Sequence, residues 1–260
     1  MKCKVCGKEA EIKFTAKILF KYDAEYFFCN NCKYLFAGNP FWLEESYREP
    51  INLSDTGLLV RNQYFARLVT VIIFFCFYKK GIFLDYAGGY GVFTRLMRDN
   101  GYDFYWNDPY CKNLLAAGFE YDIKSNNKIE LLTAFEVLEH LTDPSEINKM
   151  LTISRNIIFS TQLLPKPIPE LGKYWYYGFE HGQHISFYSK ETLEYIASKN
   201  KLNFYSVLGL HIFTEKRISK IKLNISVILA LLGSDRLVKK IMGSKTESDN
   251  ILMSKRENSN

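Results

Sequence analysis

Four thiols stand in two pairs at the start of the chain, Cys3-x-x-Cys6 and Cys29-x-x-Cys32. Two such knuckles supply the four thiolates of a tetrahedral zinc site. The loop between them is slightly longer than the commonest zinc-ribbon range. Gly7 suits the tight turn after the first pair. Four cysteines leave no open position for water, so the expected role of Cys3, Cys6, Cys29 and Cys32 is structural. Disulfides and a redox Cys-x-x-Cys pair are the weaker alternatives. A second group is Glu180, His181 and His184, within one short stretch. Histidine titrates near neutrality and suits proton removal from an oxygen or carbon nucleophile. His181 or His184 is therefore the candidate base, with Glu180 to orient it. Turn capping, or substrate binding without proton transfer, is the alternative for either ring. A second metal site from both histidines and Glu180 is the less favoured reading. The third group is Asp85, directly before a turn rich in small residues: Ala87, Gly88, Gly89, Tyr90 and Gly91.

The elements around Asp85 explain its place. Ile82 to Leu84 is a short apolar run, as in a strand buried on both faces of a parallel sheet. From Val92 the apolar spacing turns helical, with Val92, Phe93, Leu96 and Met97 on one face. Strand, glycine turn and helix let a ligand lie against bare backbone. The dinucleotide fingerprint G-x-G-x-x-G fits poorly, since Thr94 stands where its third glycine belongs. Phe104 to Trp106 is expected to be a second strand, ending in Asn107-Asp108-Pro109-Tyr110. An acidic residue about twenty positions beyond such glycines binds ribose hydroxyls, which selects Asp108. Phe119 to Ile123 reads as a third strand, Ile129 to Thr133 as a fourth and Asn156 to Ser160 as a fifth. Helices are expected over Phe41 to Arg48, Leu58 to Tyr78 and Lys190 to Lys199, the last capped by Ser189. A late strand is expected within Phe204 to Phe213. Alternating strands and helices imply an α/β fold: a Rossmann-like, mostly parallel sheet with flanking helices, plus a small N-terminal zinc-ribbon module.

The run D-Y-A-G-G-Y-G at Asp85 resembles motif I of class I S-adenosylmethionine (SAM) dependent methyltransferases, with Ala87 in place of the first glycine. The segment Ala134-Phe135-Glu136-Val137-Leu138-Glu139-His140 through Pro144 resembles the stretch after the fourth strand in many small-molecule and sugar methyltransferases. The run G-Q-H-I-S-F-Y-S from Gly182 resembles bacterial methyltransferases of polysaccharide and sugar-nucleotide pathways, some of which carry a four-cysteine zinc module and a Glu-His pair. The resemblance implies SAM as cofactor, held by Asp85, Ala87, Gly88, Gly89, Gly91, Asp108, Pro109, Asp122, Ile123, Phe135 and Glu136. In it, Asp122 meets the adenine amine and Ile123 the ring. Asn107 to Tyr110 is similar to the motif of amine methyltransferases, but ends the second strand rather than the fourth, so that reading is rejected. His140 reads as a helix-end histidine bonded to backbone.

Composition bounds the rest. The chain has 260 residues, 47% hydrophobic and 24% charged, and a net charge of +6. These are globular values. The basic excess, clustered from Lys216 to Lys240, reads as a solvated face, so nucleic acid is not the expected partner. The expected partner is a small sugar-type substrate. No signal peptide or membrane span is expected, and cytoplasmic reduced cysteines follow. The expected division is a zinc module at 1–40, a helical lead-in at 41–79, the SAM domain at 80–215, and helices with a disordered tail at 216–260. Leu163 to Gly182, rich in proline and aromatic residues, is the expected substrate-recognition loop. The expected function is methyl transfer to oxygen or carbon of a sugar or nucleotide-sugar. A zinc-ribbon RNA methyltransferase and a non-catalytic binding protein are the alternatives.

Overall fold

The computed structural model describes residues 1–48, 55–125 and 127–258; parts of the expected lead-in and tail, at 49–54, 259 and 260, lie outside the described residues. The strands are β1 (Glu11–Ile18), β2 (Tyr22–Phe28), β3 (Leu35–Ala37), β4 (Ile82–Tyr86), β5 (Asp103–Asn107), β6 (Ile129–Phe135), β7 (Asn156–Ser160), β8 (Ser186–Phe187), β9 (Asn203–Val207) and β10 (Leu210–Thr214). The helices are α1 (Leu43–Ser46), α2 (Leu58–Cys76), α3 (Val92–Asp99), α4 (Glu146–Ile153), α5 (Lys190–Lys199), α6 (Lys220–Leu231), α7 (Asp235–Met242) and α8 (Thr246–Glu257). Single 3-10 turns lie at Leu138–His140 and Trp175–Tyr177. The chain forms two compact units. One comprises Met1–Asn52, Phe135–Thr152 and Ile158–Glu215; the other comprises Leu53–Ala134, Ile153–Ile157 and Lys216–Asn260.

In the second unit, β4 lies between β5 and β6 and runs parallel to both. Phe83 and Leu84 are fully buried, as an apolar strand between two parallel neighbours should be. The register sets Asp85 beside Trp106 on β5 and beside Thr133 on β6, so the carboxyl ends of all three strands share one edge. Helix α2 packs against α3, α6 and α7. By length and composition it could cross a membrane, although 44% of the relevant window is buried within the fold. The sequence expectation is a helix over Leu58 to Tyr78 and no membrane span.

Two expectations fail in this unit. The third strand is absent among the described residues: only a single parallel bridge, Glu120 to Trp106, forms there. The Trp106 N–H donates to the Phe119 carbonyl, and the Tyr121 N–H donates to that of Trp106. Asp122 then accepts from the Lys124 N–H at 2.9 Å and turns the chain away. The tail is not disordered over its described length but forms α8. Its polar sequence conceals Asp249, which takes a two-pronged hydrogen bond from the buried Arg98 at 2.8 Å in each arm. That anchor replaces the apolar face the tail lacks.

In the first unit, β1, β2, β3 and β8 form an antiparallel sheet. The β1–β2 hairpin turns through Leu19 and Phe20, both at positive φ. The core on this sheet includes Tyr26, Trp42, Tyr176, Tyr177 and Phe187. The aromatic stretch after Leu163 is therefore largely structural here, against the expectation of a recognition loop. A cysteine module of this size cannot bury a core of its own. It is completed by aromatic rings from a distant part of the chain, and Trp175 alone among the neighbouring rings is left 75% exposed. The late strand is a hairpin, β9 and β10, reversing at Leu208-Gly209. Helix α5 carries the expected cap: Ser189 accepts from the Thr192 N–H at 3.1 Å, and the Thr192 hydroxyl takes the Ser189 N–H in return.

Candidate active site

The glycine turn of the second unit hangs on hydrogen bonds from β5 and the residue that follows it. The Gly89 N–H donates to the Asp108 carboxylate at 2.9 Å, and the Trp106 indole N–H donates to the Gly89 carbonyl at 2.9 Å. Asp108 is held in turn by the N–H groups of Tyr110 and Cys111. Gly89 and Gly91 take positive φ. A Cβ at Gly89 would meet nothing within 4 Å, so bare backbone there faces open space. At Gly88 a Cβ would lie 2.7 Å from Asp85 Oδ2 and 2.8 Å from the Trp106 ring, so glycine is enforced by close approach. Ala87 also has positive φ, at 53°, the conformation a glycine would take without strain.

Asp85 lies beneath this turn and is 2% exposed. The Thr94 hydroxyl donates to Oδ2 and the Thr133 hydroxyl to Oδ1, each at 3.0 Å. Burial pushes its carboxyl up to about 7; the two hydroxyls pull it down and the nearby Asp108 charge adds to the rise. A buried carboxylate with no counter-cation among the described residues, at the end of a strand, is electrostatically suited to a positively charged ligand. Pro109, Asp122 and Ile123 are exposed.

The other sequence-selected residues lie in the first unit. The Sγ atoms of Cys3, Cys6, Cys29 and Cys32 lie within 4.8 Å of one another, with Cys3 to Cys32 and Cys6 to Cys29 at 3.5 Å. Four thiolates about 2.3 Å from a tetrahedral ion stand about 3.8 Å apart, so the donor set fits such an ion. Each knuckle closes identically. The Gly7 N–H donates to the Cys3 carbonyl and the Lys33 N–H to that of Cys29, and both residues have positive φ. Phe135 ends β6, and Glu136 follows at positive φ, its carboxylate accepting from the Ser160 hydroxyl at 2.6 Å.

Glu180 is exposed, while His181 and His184 are half-buried. His181 Nδ1 accepts the Gln183 N–H at 3.1 Å. His184 Nδ1 faces the Tyr176 carbonyl at 2.7 Å, so that nitrogen carries the proton and Nε2 has the lone pair. Burial depresses the basicity of His181, and the Glu180 charge partly restores it. His140 closes its 3-10 turn with Nδ1 against the Gln183 carbonyl at 3.1 Å. Its ring centre lies 5.0 Å from that of His184, and the His181 ring lies 4.8 Å from His184.

Residues 60–207 match the family described as "Methyltransferase domain". The chain belongs to that family. It thus carries a SAM-dependent methyltransferase domain, and the turn at Asp85 lies within the matched span. No curated protein sequence matches the chain. Among solved structures it is similar to CalO1, a methyltransferase in calicheamicin biosynthesis in its SAH-bound form, at 12% identity. That match covers 60% of this chain and 55% of CalO1, with a TM-score of 0.40. It is also similar to an O-methyltransferase family protein from Burkholderia thailandensis, at 12% identity over 68% of each chain, TM-score 0.46. A third is an O-methyltransferase family 2 protein from Planctomyces limnophilus in complex with apigenin, at 13% identity over 66% and 64%, TM-score 0.43. The chain spans between about half and two thirds of the length of these structures.

Sequence reasoning missed several residues of this methyltransferase domain. In sequence Thr94 stands out only as a missing glycine; its hydroxyl holds Asp85. Thr133 and Trp106 complete the same support, and a polar residue amid an apolar strand was the available signal for Thr133. In the first unit the missed residue is Glu139, fully buried, whose Oε1 accepts the Tyr176 hydroxyl at 2.7 Å. Burial, aided by the Glu136 charge, pushes its carboxyl up to about 8.

Proposed function

We propose that this protein transfers the methyl group of SAM to an oxygen or carbon of a small polar acceptor, a sugar or nucleotide-sugar of a polysaccharide pathway, in the cytoplasm. The observation that carries the reading is the glycine turn with Asp85 buried beneath it and open space over Gly89. SAM would be held there by the backbone of Ala87, Gly88, Gly89 and Gly91, with Asp85 offsetting its positive charge. Asp108 and Pro109 would serve the ribose, Asp122 and Ile123 the adenine, and Phe135 and Glu136, at the end of β6, would lie beside the cofactor. When bound, SAM supplies an electrophilic methyl on a cationic sulfur, which departs as a neutral thioether. The protein aligns the nucleophile and removes its proton. His181 or His184 takes that proton, with the Glu180 charge favouring the imidazolium. The four thiols hold zinc as a structural ion. Sugar specificity is supported by the resemblance of the Gly182 to Ser189 run. Tritiated-methyl transfer from SAM into a panel of nucleotide-sugars tests the reading. Incorporation into one class establishes it, and SAM binding with no incorporation into any of them overturns the sugar assignment.

A further inference from the structure

Glu139, His140 and His184 each present a ligand atom, and these atoms lie within 4.8 Å of one another in the first unit. The two rings share one tautomer. His140 Nδ1 faces the Gln183 carbonyl at 3.1 Å and His184 Nδ1 the Tyr176 carbonyl at 2.7 Å. A carbonyl only accepts, so both Nδ1 atoms carry hydrogen and the lone pair of each neutral ring falls on Nε2. The Tyr47 hydroxyl oxygen, 2.9 Å from His140 Nδ1, then shares that same proton. Metal-bound imidazoles have this form: one nitrogen ligates while the other donates to a carbonyl that fixes the ring. The carboxylate supplies the second, independent observation. Glu139 is 0% exposed, and its Oε2 has no hydrogen-bond partner among the described residues, although Oε1 is satisfied by Tyr176. A buried carboxylate oxygen without a donor is costly, and a cation relieves that cost. His181 is set apart, because its Nδ1 lone pair is taken by the Gln183 N–H.

We propose that Glu139, His140 and His184 bind a first-row divalent cation of the manganese, iron, cobalt or zinc type. Two imidazoles and one carboxylate suit those ions better than magnesium or calcium, and three protein ligands leave positions open to water or to a substrate oxygen. The site is distinct from the four thiols. Its use, which rests on the methyltransferase reading, is to bind the acceptor hydroxyl and acidify it. The O–H bond breaks and its proton passes to solvent. The oxygen then takes the methyl carbon, and the S–CH3 electron pair returns to sulfur. His184 is a ligand in this scheme and the His181 lone pair is already engaged by the Gln183 N–H, which leaves proton removal to solvent.

Binding is read directly, without SAM or acceptor. The full chain is dialysed against citrate, which competes for nitrogen and oxygen sites while tetrathiolate zinc persists, and is then titrated with Mn2+. The electron paramagnetic resonance signal of free Mn2+ is followed. The wild type is expected to remove a single ion per chain from the free pool. Glu139→Gln and His184→Asn, each checked for native circular dichroism, are expected to weaken uptake at least about tenfold. His181→Asn is expected to leave it unchanged. No saturable uptake by the wild type, or equal uptake by a folded Glu139→Gln or His184→Asn chain, overturns the proposal. Mn2+ uptake by a chain that transfers no methyl group leaves the metal site standing and removes the methyl-transfer reading; methyl transfer without uptake does the reverse.

Discussion

Asn in place of Asp85 should make the ligand-free protein more stable above neutral pH. The carboxyl is buried and pushed up to about 7 in the folded chain, mainly by burial. In the unfolded chain an aspartate titrates near its usual value of about 3.9. Between those two pH values the folded chain holds a proton that the unfolded chain has released. Stability therefore falls as pH rises through that window and is lowest above it. About three pH units at about 1.36 kcal/mol each set a ceiling of about 4 kcal/mol on this penalty. The substituted amide keeps the shape and carries no charge. Its carbonyl oxygen accepts one threonine hydroxyl, and its NH2 donates to the other. Thr133 is the one able to reverse, since its hydroxyl also lies 3.4 Å from the Leu84 carbonyl and gains a new acceptor there. That rearrangement costs about 1 kcal/mol. The expected gain for Asp85→Asn is thus about 2–3 kcal/mol at pH 8 and close to zero at pH 4, read from urea unfolding of both proteins. The substitution should at the same time weaken SAM binding, measured by titration calorimetry. Superimposable unfolding curves at pH 8 would refute the argument that an uncompensated buried charge lies under the glycine turn.

Gly88→Ala should destabilise by about 1–3 kcal/mol, because its Cβ would press on Asp85 Oδ2 and the Trp106 ring; thermal melts check this. Ala87→Gly and Lys33→Gly should each stabilise by up to about 1 kcal/mol. Both residues sit at positive φ, where relief of about 1–2 kcal/mol outweighs the extra entropy of glycine in the unfolded chain. Asp249→Ala should cost about 3 kcal/mol by removing the two-pronged partner of the buried Arg98, which keeps Asp103 and the Phe104 carbonyl, and Arg98→Met with Asp249→Leu together should cost less than the sum of the two single changes; the double-mutant cycle in urea is the measurement. Stripping the ion proposed at the four thiols should unfold the first unit, seen as loss of near-ultraviolet signal from its buried tyrosines, since binding supplies on the order of 10 kcal/mol.

What could be read from sequence was carried by neighbours along the chain. The run Ile82 to Leu84 followed by glycines, the Ser189 cap three residues ahead of Thr192, and the bounds of β7 all depend on local spacing. What escaped depended on pairs far apart. Arg98 and Asp249 are separated by 151 positions, and nothing in a tail of polar residues marks one aspartate as buried. The expected third strand failed for a related reason. Tyr121 and its neighbours have strand-forming residues, yet pairing stops after one bridge where Asp122 starts a turn, its side chain accepting the Lys124 N–H and its carbonyl the Ser125 N–H.

The aromatic stretch after Leu163 shows how the same composition supports two opposite readings. Tyrosines and a tryptophan among prolines are what a recognition loop needs, and also what an incomplete core needs. The deciding quantity is the area its partner leaves uncovered. The sheet built on β1, β2 and β3 has an apolar face bearing Ala16, Ile18, Tyr26 and Leu35, and a chain segment of this size has no second layer to cover it. Tyr176 and Tyr177 meet that demand, and under the proposed function recognition in the first unit falls to residues that this packing sets in place without burying completely. His184 is one: the Tyr176 backbone that seals the core also fixes its ring. The substitution Tyr176→Phe separates the two duties. It keeps the aromatic core and the carbonyl to His184 but removes the hydroxyl that satisfies Glu139. Folding should survive with a loss of about 1–3 kcal/mol. A chain that instead fails to fold would show that the hydroxyl network, not the rings, holds this unit together.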